Sequence, residues 1–419
     1  MNKIISPFLF LLLTTVVALP AAADNPRQLF AKYADRLYQI KVLEKISSRK
    51  SAIGSGFVVA ADGLMVTNYH VVSKFIEEPD KYYLEAVSAD NRSVKITVQD
   101  IDVVNDLALV RFVAKNHPYL RVSAKLLRKG DPIYSMGNPL DLGTAVVPGT
   151  YNGYTKQSFY QRIHFTGAIN PGMSGGPVLN GAGEVVGINV ATAGNQIGFL
   201  VVADKLISLL KDYGQGAHKP LDFQARVRQQ LINNQRRMMQ AVFDTEWKTT
   251  PLGDARVLKE IAPFLPCWGD KSHSFRQKER YVTVSINCMP KENIYLNQWF
   301  QTGMIEVQYK WVENRSLTAM QFSTLMEKLY GGARPGNQAN EEDVTEFVCH
   351  ESFISDPDRR VALCTRAYKK YRDLFDVLYI STTVGFSDKG LMSHFTLAGV
   401  EKKTAMRFVK RFMEAGKWN

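Results

Sequence analysis

The chain has 419 residues, 45% of them hydrophobic and 22% charged, a balance that excludes a disordered chain or a coiled coil and allows two or three globular domains. The formal net charge of +12 raises the question of a nucleic-acid or anionic partner. The basic residues are scattered through both halves and usually have acids nearby. We therefore expect solvated basic faces and no nucleic-acid partner.

Residues 1–23 predict a signal peptide. Lys3 supplies a positive charge, residues 8–19 form a short apolar run, and residues 21–23 are alanines suited to cleavage. An uncleaved membrane anchor is the alternative, but an apolar run of about a dozen residues falls short of the ~20 that span a bilayer. We therefore expect an exported protein that begins at Asp24, has no stable membrane anchor, and is periplasmic or secreted.

Short strands separated by turn residues follow the signal peptide. Residues rich in β-branched and aromatic side chains predict strands at 37–43, 56–60, 64–67, 82–87, 93–99 and 108–112. This pattern continues to about residue 202, and so many short strands over roughly 170 residues indicate an all-β barrel or sandwich. A helix over 204–213 closes this first unit, and the glycine-rich sequence at 214–216 predicts a flexible boundary.

The second half of the chain mixes helices with strands. An apolar stripe at helical spacing predicts a linker helix within residues 216–245. Beyond it, strands are predicted at 281–287, 304–312, 377–384 and 392–400, and helices at 317–329 and 402–415. Because the strands and helices do not alternate as βαβ units, residues 246–419 indicate an α+β domain, and its role is unknown.

All four cysteines lie in this second half, at Cys267, Cys288, Cys349 and Cys364. An oxidising compartment favours disulfides, for which three connectivities are open. We prefer the sequential pairing, Cys267 with Cys288 and Cys349 with Cys364, because each closes a short local loop. Zinc is the alternative, but neither pair has the spacing of zinc ligands, so we expect no metal site.

A serine flanked by glycines is the candidate nucleophile. Ser174 lies in the segment NPGMSGGP at residues 170–177. Glycines on both sides permit a tight turn that directs backbone N–H groups inward. The N–H groups of Gly172 and Ser174 are therefore the candidate oxyanion hole, which would stabilise negative charge on a carbonyl oxygen.

A histidine and an aspartate complete the groups that peptide hydrolysis requires. His70 follows an apolar run, where a packed core histidine is the alternative interpretation. Asp106 opens the apolar strand LALV, and a buried aspartate needs a partner such as the Nδ1–H of a histidine. Asp100 and Asp102 are rivals, but neither abuts the apolar run, so Asp106 is preferred.

Several segments of the first unit resemble the trypsin-like serine peptidases: GSGFVV at 54–59, TNYHVV at 67–72 and NDLALV at 105–110. GNP at 137–139 and AINPGMSGGP at 168–177 make the chain most similar to the bacterial high-temperature-requirement (HtrA) branch, over residues 37–210. The resemblance implies two six-stranded β-barrels with the active cleft between them. It also implies that Ser174 is the nucleophile, that His70 is the general base and then acid, and that Asp106 orients His70.

The sequence departs from that branch in three ways. Met173 stands where the branch usually has asparagine, and no carboxylate lies beside Ser174 to pair with a new N-terminus. Activation, if it occurs, would therefore come through loop ordering. The PDZ domain usual downstream is not recognisable in residues 216–419, and the cysteine-bearing domain there resembles no family that we can name.

The specificity pocket is predicted from uncharged residues. Ala168 and Ile169 precede the nucleophile loop, and the strand containing Asn189 and Val190 is expected to pair with substrate. No aspartate stands at the pocket base to bind arginine or lysine. We therefore expect a small or aliphatic P1 residue, the substrate residue that precedes the cleaved bond.

The sequence thus predicts a trypsin-like all-β double barrel over residues 24–215, followed by a separate α+β C-terminal domain. The predicted function is that of an exported serine endopeptidase that hydrolyses protein or peptide substrates through an acyl-enzyme, without a cofactor. The alternative is a catalytically silent peptidase scaffold that binds partners through its C-terminal domain.

Overall fold

The computed structural model describes residues 26–192, 196–216, 221–272, 280–355 and 358–418. The predicted signal peptide, residues 1–23, lies outside these ranges. Within them, no helix is both long and apolar enough to cross a membrane.

The first barrel consists of six antiparallel strands. Its region contains α1 (Pro26–Tyr33), a 3₁₀ turn (Ala34–Arg36), β1 (Leu37–Glu44), β2 (Lys50–Val58), β3 (Leu64–Thr67), α2 (Tyr69–Glu77), β4 (Tyr82–Ser88), β5 (Ser93–Asp102) and β6 (Leu107–Arg111). The strands pair in the order β1-β2-β3-β6-β5-β4, and β4 closes onto β1. The sequence pattern does not predict α2, because its 9 residues are too few to display a helical period.

The second barrel has the same number of strands. Its elements are β7 (Pro132–Gly137), a 3₁₀ turn (Pro139–Asp141), β8 (Ala145–Tyr154), β9 (Arg162–Thr166), β10 (Pro177–Leu179), β11 (Val185–Thr192), β12 (Gly198–Val202) and the closing helix α3 (Ala203–Gly216). The strands pair in the order β10-β11-β12-β9-β8-β7, and β7 closes onto β10. One apolar core joins the barrels, since Phe57 and Val66 pack in the same cluster as Met136 and Ile188. The predicted trypsin-like double barrel is confirmed.

The C-terminal region of helices and sheets follows, as predicted. Its elements are α4 (Phe223–Asp244), β13 (Lys248–Leu252), β14 (Ala255–Glu260), β15 (Cys267–Ser272), β16 (Tyr281–Cys288), β17 (Ile294–Asn297), β18 (Phe300–Thr302), β19 (Ile305–Asn314), α5 (Ala319–Gly331), β20 (Val348–Ile354), β21 (Arg359–Ala367), β22 (Phe375–Thr383), β23 (Lys389–Val400), α6 (Lys402–Ala415) and β24 (Lys417–Trp418). The main sheet has seven strands in the order β15-β16-β19-β23-β22-β21-β20. Helix α6 covers one face through Phe408 and Phe412, which pack against Phe395 of β23.

Both disulfides of the structure join directly opposed residues of neighbouring strands. Cys267 on β15 is bonded to Cys288 on β16, and Cys349 on β20 is bonded to Cys364 on β21. This is the sequential pairing that the short loops favour. Because β15 and β20 are the two edge strands of the seven-stranded sheet, each disulfide fastens one edge to its neighbour.

Helix α4 packs on both halves of the chain. Its N-terminal part, with Val227 and Leu231, belongs to the core cluster of the first barrel, and its C-terminal part, with Met238 and Val242, belongs to the core of the C-terminal region. The side chain of Arg226 contacts both carboxylate oxygens of Asp100 on β5, at 3.1 Å each. The expected flexible boundary is helical instead, since α3 extends to residue 216. Apolar burial and an ion pair therefore hold the C-terminal region on the first barrel.

Replacing Arg226 with alanine should destabilise the fold, because the Asp100 side chain is only 9% exposed and would lose its charged partner. We expect a loss on the order of 3 kcal/mol in the free energy of unfolding. Arg228→Ala is the matched control on the same helix, since its partner Asp373 is 70% exposed, and it should cost about 0.2–1 kcal/mol. Urea unfolding of the full chain measures both, and equal losses would contradict the prediction.

Candidate active site

His70 lies at the start of helix α2, at the edge of the first barrel. Strand β3 ends at Thr67, and Asn68 precedes the helix in an extended conformation with φ −83° and ψ 152°. Tyr69 and Val72 are fully buried and hold the helix on the barrel, whereas the His70 side chain keeps 28% of its surface exposed. The imidazole therefore faces a cleft and is not packed inside the core.

Asp106 holds His70 through both carboxylate oxygens, one on the imidazole and one on the backbone. Its Oδ2 lies 2.7 Å from His70 Nδ1, and its Oδ1 accepts a hydrogen bond from the backbone N–H of His70 at 2.9 Å. The backbone of Asp106 is in the left-handed region, with φ 59°, which aspartate tolerates better than most residues. Asn68 Nδ2 donates to the Asp106 carbonyl at 2.7 Å and secures that turn. Since a carboxylate can only accept, Nδ1 carries the proton and Nε2 is left as the basic atom.

Burial and the carboxylate act on His70 in opposite directions. Desolvation lowers the pKa of the imidazole, because the charged form loses its water. The negative charge of Asp106 and its hydrogen bond raise the pKa, and the net result is a pKa above the ordinary value of histidine. The histidine is thus a stronger base than its partly buried position alone would allow.

The two rival aspartates have other partners. Asp102 accepts hydrogen bonds from the backbone N–H of Asn105 at 3.0 Å and from its side chain at 2.6 Å, and so stabilises the turn before Asp106. Asp100 pairs with Arg226 of α4. Of the three candidates, Asp106 is the one whose carboxylate reaches the imidazole.

Ser174 lies in a tight loop before β10 that glycine makes feasible. Gly172 has φ +94°, and a Cβ there would lie 2.4 Å from the Asn138 carbonyl oxygen, so no larger residue fits. Met173, where the HtrA branch usually has asparagine, is fully buried in the core of the second barrel. The methionine therefore anchors the loop by apolar packing while Ser174 remains partly exposed.

The backbone N–H groups of this loop fall into two classes. Those of Met173, Gly175 and Gly176 donate to the carbonyls of Asn170, Asn189 and Met173, each at 3.0 Å. Those of Gly172 and Ser174 have no hydrogen-bond acceptor among the described residues. An oxyanion hole needs donors that are fixed in place and not already used, and these two N–H groups meet that requirement.

Ser55 on β2 connects the nucleophile loop to the first barrel. Its backbone N–H donates to the carbonyl of Ser174 at 2.7 Å, and its Oγ donates to the carbonyl of Gly172 at 2.7 Å. The same Oγ accepts from the N–H of Asn138 at 2.8 Å. One residue of the first barrel thus holds both ends of the segment that carries Ser174.

The nucleophile loop also lies against helix α2. A Cβ at Gly54 would lie 2.5 Å from the Val71 side chain and 3.1 Å from the Ser174 carbonyl oxygen, so these two residues approach each other across a glycine. Within the described chain, Ser174 Oγ makes no hydrogen bond with His70. Hydrogen bonds between a nucleophile and its base are often long in a ligand-free protein and tighten only when substrate is bound.

The cleft beside His70 has a volume of about 490 Å³ and is bounded by three parts of the chain. The first barrel contributes Val103 and Val104, and the second contributes Val190 and Phe199. The third part is residues 291–295 of the C-terminal region. The sequence alone does not predict this third wall, because no local sequence pattern indicates a contact between residues more than two hundred positions apart.

The predicted pocket residues have different surroundings. Val190 lines the cleft, and Ala168 is partly exposed, but Ile169 is buried in the core of the second barrel. Asn189 is fully buried, and its amide bonds Ser135 Oγ at 2.8 Å and the Met136 carbonyl at 3.0 Å. Its Nδ2 also donates to the Met173 carbonyl at 3.3 Å, so the side chain of Asn189 supports the Ser174 loop from inside the barrel.

The chain is similar to known proteins over part of its length. The family model of the trypsin-like peptidase domain matches residues 54–188. The "Probable periplasmic serine endoprotease DegP-like" of Chlamydia pneumoniae is 33% identical over 173 residues, which cover 40% of this chain and 34% of that protein. Serine protease HTRA1 of Xenopus laevis is 32% identical over 185 residues, 40% of this chain and 39% of that protein.

The similarity is confined to part of each protein. The chain spans 34% and 39% of the length of these two relatives. A solved structure of the serine endoprotease from Yersinia pestis has 23% identity and a TM-score of 0.40, and the similarity covers 45% of this chain and 66% of that one.

Replacing Asp106 with asparagine should lower the pKa of His70, because it removes the charge that raises it and leaves desolvation. A reaction that needs the neutral imidazole would then become measurable at a lower pH than in the parent chain. An NMR titration of the His70 ring in the full chain measures the shift without reference to activity. Asp102→Asn is the matched control, and a His70 pKa that is the same in both variants would contradict the prediction.

Proposed function

We propose that this chain, which contains a trypsin-like peptidase domain homologous to the HtrA and DegP serine proteases, is itself a serine endopeptidase. The observation that carries the proposal is the His70–Asp106 contact beside a serine loop with two unused N–H donors. We assign the peptidase domain to residues 24–215 and an α+β unit to residues 246–419, with the helix within 216–245 between them.

The proposed reaction follows from the positions of these groups. Ser174 Oγ attacks the carbonyl carbon of the substrate, and His70 Nε2 takes the proton of the hydroxyl. Negative charge on the carbonyl oxygen is stabilised by the N–H groups of Gly172 and Ser174. His70 then gives the proton to the leaving amine as the C–N bond breaks, and water hydrolyses the acyl-enzyme by the same route in reverse. Asp106 stabilises the imidazolium throughout.

An oxidising compartment suits this proposal. The C-terminal region holds two disulfides, which persist outside the cytoplasm. One similar protein is named as periplasmic. We therefore place the protein outside the cytoplasm, in the periplasm or secreted, with protein or peptide substrates.

A silent scaffold that binds partners through its C-terminal domain is the second candidate function. The C-terminal region accounts for about half of the chain, and the family model, which ends at residue 188, does not include it. The two candidates differ in whether Ser174 is a reactive nucleophile.

Ser174→Ala should abolish covalent labelling by a fluorophosphonate probe and reduce peptide hydrolysis by several orders of magnitude, because the triad acts as a unit. Ser208→Ala is the matched control, since that serine lies exposed on α3. Casein cleavage and probe labelling of the full chain measure both effects. Labelling that persists in Ser174→Ala would refute the assignment, and an unlabelled parent protein would favour the scaffold.

Cleavage should occur after valine, alanine or isoleucine. The reason is that Val190 and the partly exposed Ala168 offer no charge to a P1 side chain, while Ile169, also predicted for the pocket, is buried in the core of the second barrel. A peptide library analysed by mass spectrometry tests this preference. Dominant cleavage after arginine or glutamate would show that another group forms the pocket.

A further inference from the structure

The segment of residues 291–295, which we call the cleft wall, brings the C-terminal region to the catalytic histidine. The ring of Tyr295 meets the His70 ring edge-on, with the centroids 6.0 Å apart and the planes at 75°. We propose that the cleft wall forms part of the substrate site and selects substrates with a bulky apolar residue shortly before the cleaved bond. This inference rests on the proposed peptidase function.

The residues that line the cleft determine which substrate side chains it can bind. Six of its residues are apolar or aromatic, and they come from all three parts of the chain: Val103, Val104, Val190, Phe199, Ile294 and Tyr295. Of the charged groups in the lining, Lys291 is exposed to solvent, whereas Asp106, Arg162 and Glu292 have partners. Arg162 donates to the Asn105 carbonyl at 3.0 Å, and Glu292 accepts from Ser158. Burial of an apolar substrate side chain against the apolar part of the lining is therefore favourable.

The cleft wall is held rigidly on both barrels. Glu292 bonds Ser158, which lies between β8 and β9 of the second barrel. Asn297, just beyond the wall, donates to Glu77 of α2 at 3.0 Å. Ile294 and Leu296 are 2% and 0% exposed within the core cluster of the first barrel. A wall fixed at both ends can discriminate between side chains by shape, because it does not adapt to each of them.

The cleft is large enough to receive a substrate side chain. Its volume of about 490 Å³ is within the range of pockets that bind small molecules. Val190 lies on β11, the strand expected to pair with the substrate residues that precede the cleaved bond. A peptide on that strand would direct a side chain between Val190 and Tyr295. The cleft wall therefore completes a subsite and does not plug the active site.

The test compares Tyr295→Ala with Trp299→Ala in the full chain. Trp299 belongs to the same C-terminal segment but is 60% exposed and does not line the cleft. Peptides share the P1 residue that the library selects and carry phenylalanine, leucine or alanine at each of the three preceding positions. The readout is the ratio of kcat/KM for the bulky and the alanine peptides. Fluorophosphonate labelling of Ser174 is measured in parallel.

We expect Tyr295→Ala to reduce the preference for the bulky residue about tenfold, with Ser174 labelling unchanged. Tyr295→Phe, which retains the ring, and Trp299→Ala should keep the parent ratio. An unchanged ratio in Tyr295→Ala with normal labelling would overturn the inference, and so would a loss of labelling in that variant, which would mean that Tyr295 acts by positioning His70. Failure of the parent chain to label would instead overturn the proposed function. If the alanine variant does not fold, Tyr295→Thr, which also removes the ring and most of the apolar surface, provides the same comparison.

Discussion

The candidate active site depends on the hydrogen bonds of one buried residue, Ser55. The His70–Asp106 pair belongs to the first barrel, whereas Ser174 belongs to the second. Apolar packing joins the barrels, but such packing has no direction and does not fix angles. The hydrogen bonds of Ser55 are directional, because its N–H and Oγ donate to the carbonyls of Ser174 and Gly172. These bonds fix the orientation of the loop, in which the N–H groups of Gly172 and Ser174 have no acceptor among the described residues.

The C-terminal region is a structural part of the cleft. Phe300 and Leu296 are buried in the same core cluster as Tyr69 and Val72, the neighbours of His70 on α2. The helix that carries the histidine is therefore packed from two sides. This arrangement ties the C-terminal region far more closely to the cleft than a flexible joint would.

The C-terminal sheet has its own internal supports. Asp376 is fully buried and accepts hydrogen bonds from Arg366 at 2.8 Å, Asn337 at 2.9 Å and Tyr368 at 2.6 Å. A buried charge is tolerable only when its oxygens are satisfied in this way. The two disulfides fasten the edge strands, which are otherwise the parts of a sheet most open to pairing with other chains. A firm sheet gives the cleft wall a fixed base.

The sequence by itself determined the all-β character of the first unit, where short strands alternate with turn residues, and the helix α6, whose apolar residues recur at helical spacing between residues 402 and 415. The double barrel and the roles of His70, Asp106 and Ser174 were predicted from motifs that resemble those of the trypsin-like peptidases. Only the tertiary structure decided the rest. That Asp106 reaches His70 while Asp102 bonds Asn105 depends on a left-handed turn that composition does not reveal. That Tyr295 stands beside His70 depends on the packing of residues more than two hundred positions apart. The hydrophobic effect has no direction, so an apolar segment shows that it will be buried but does not show which distant segment it packs against.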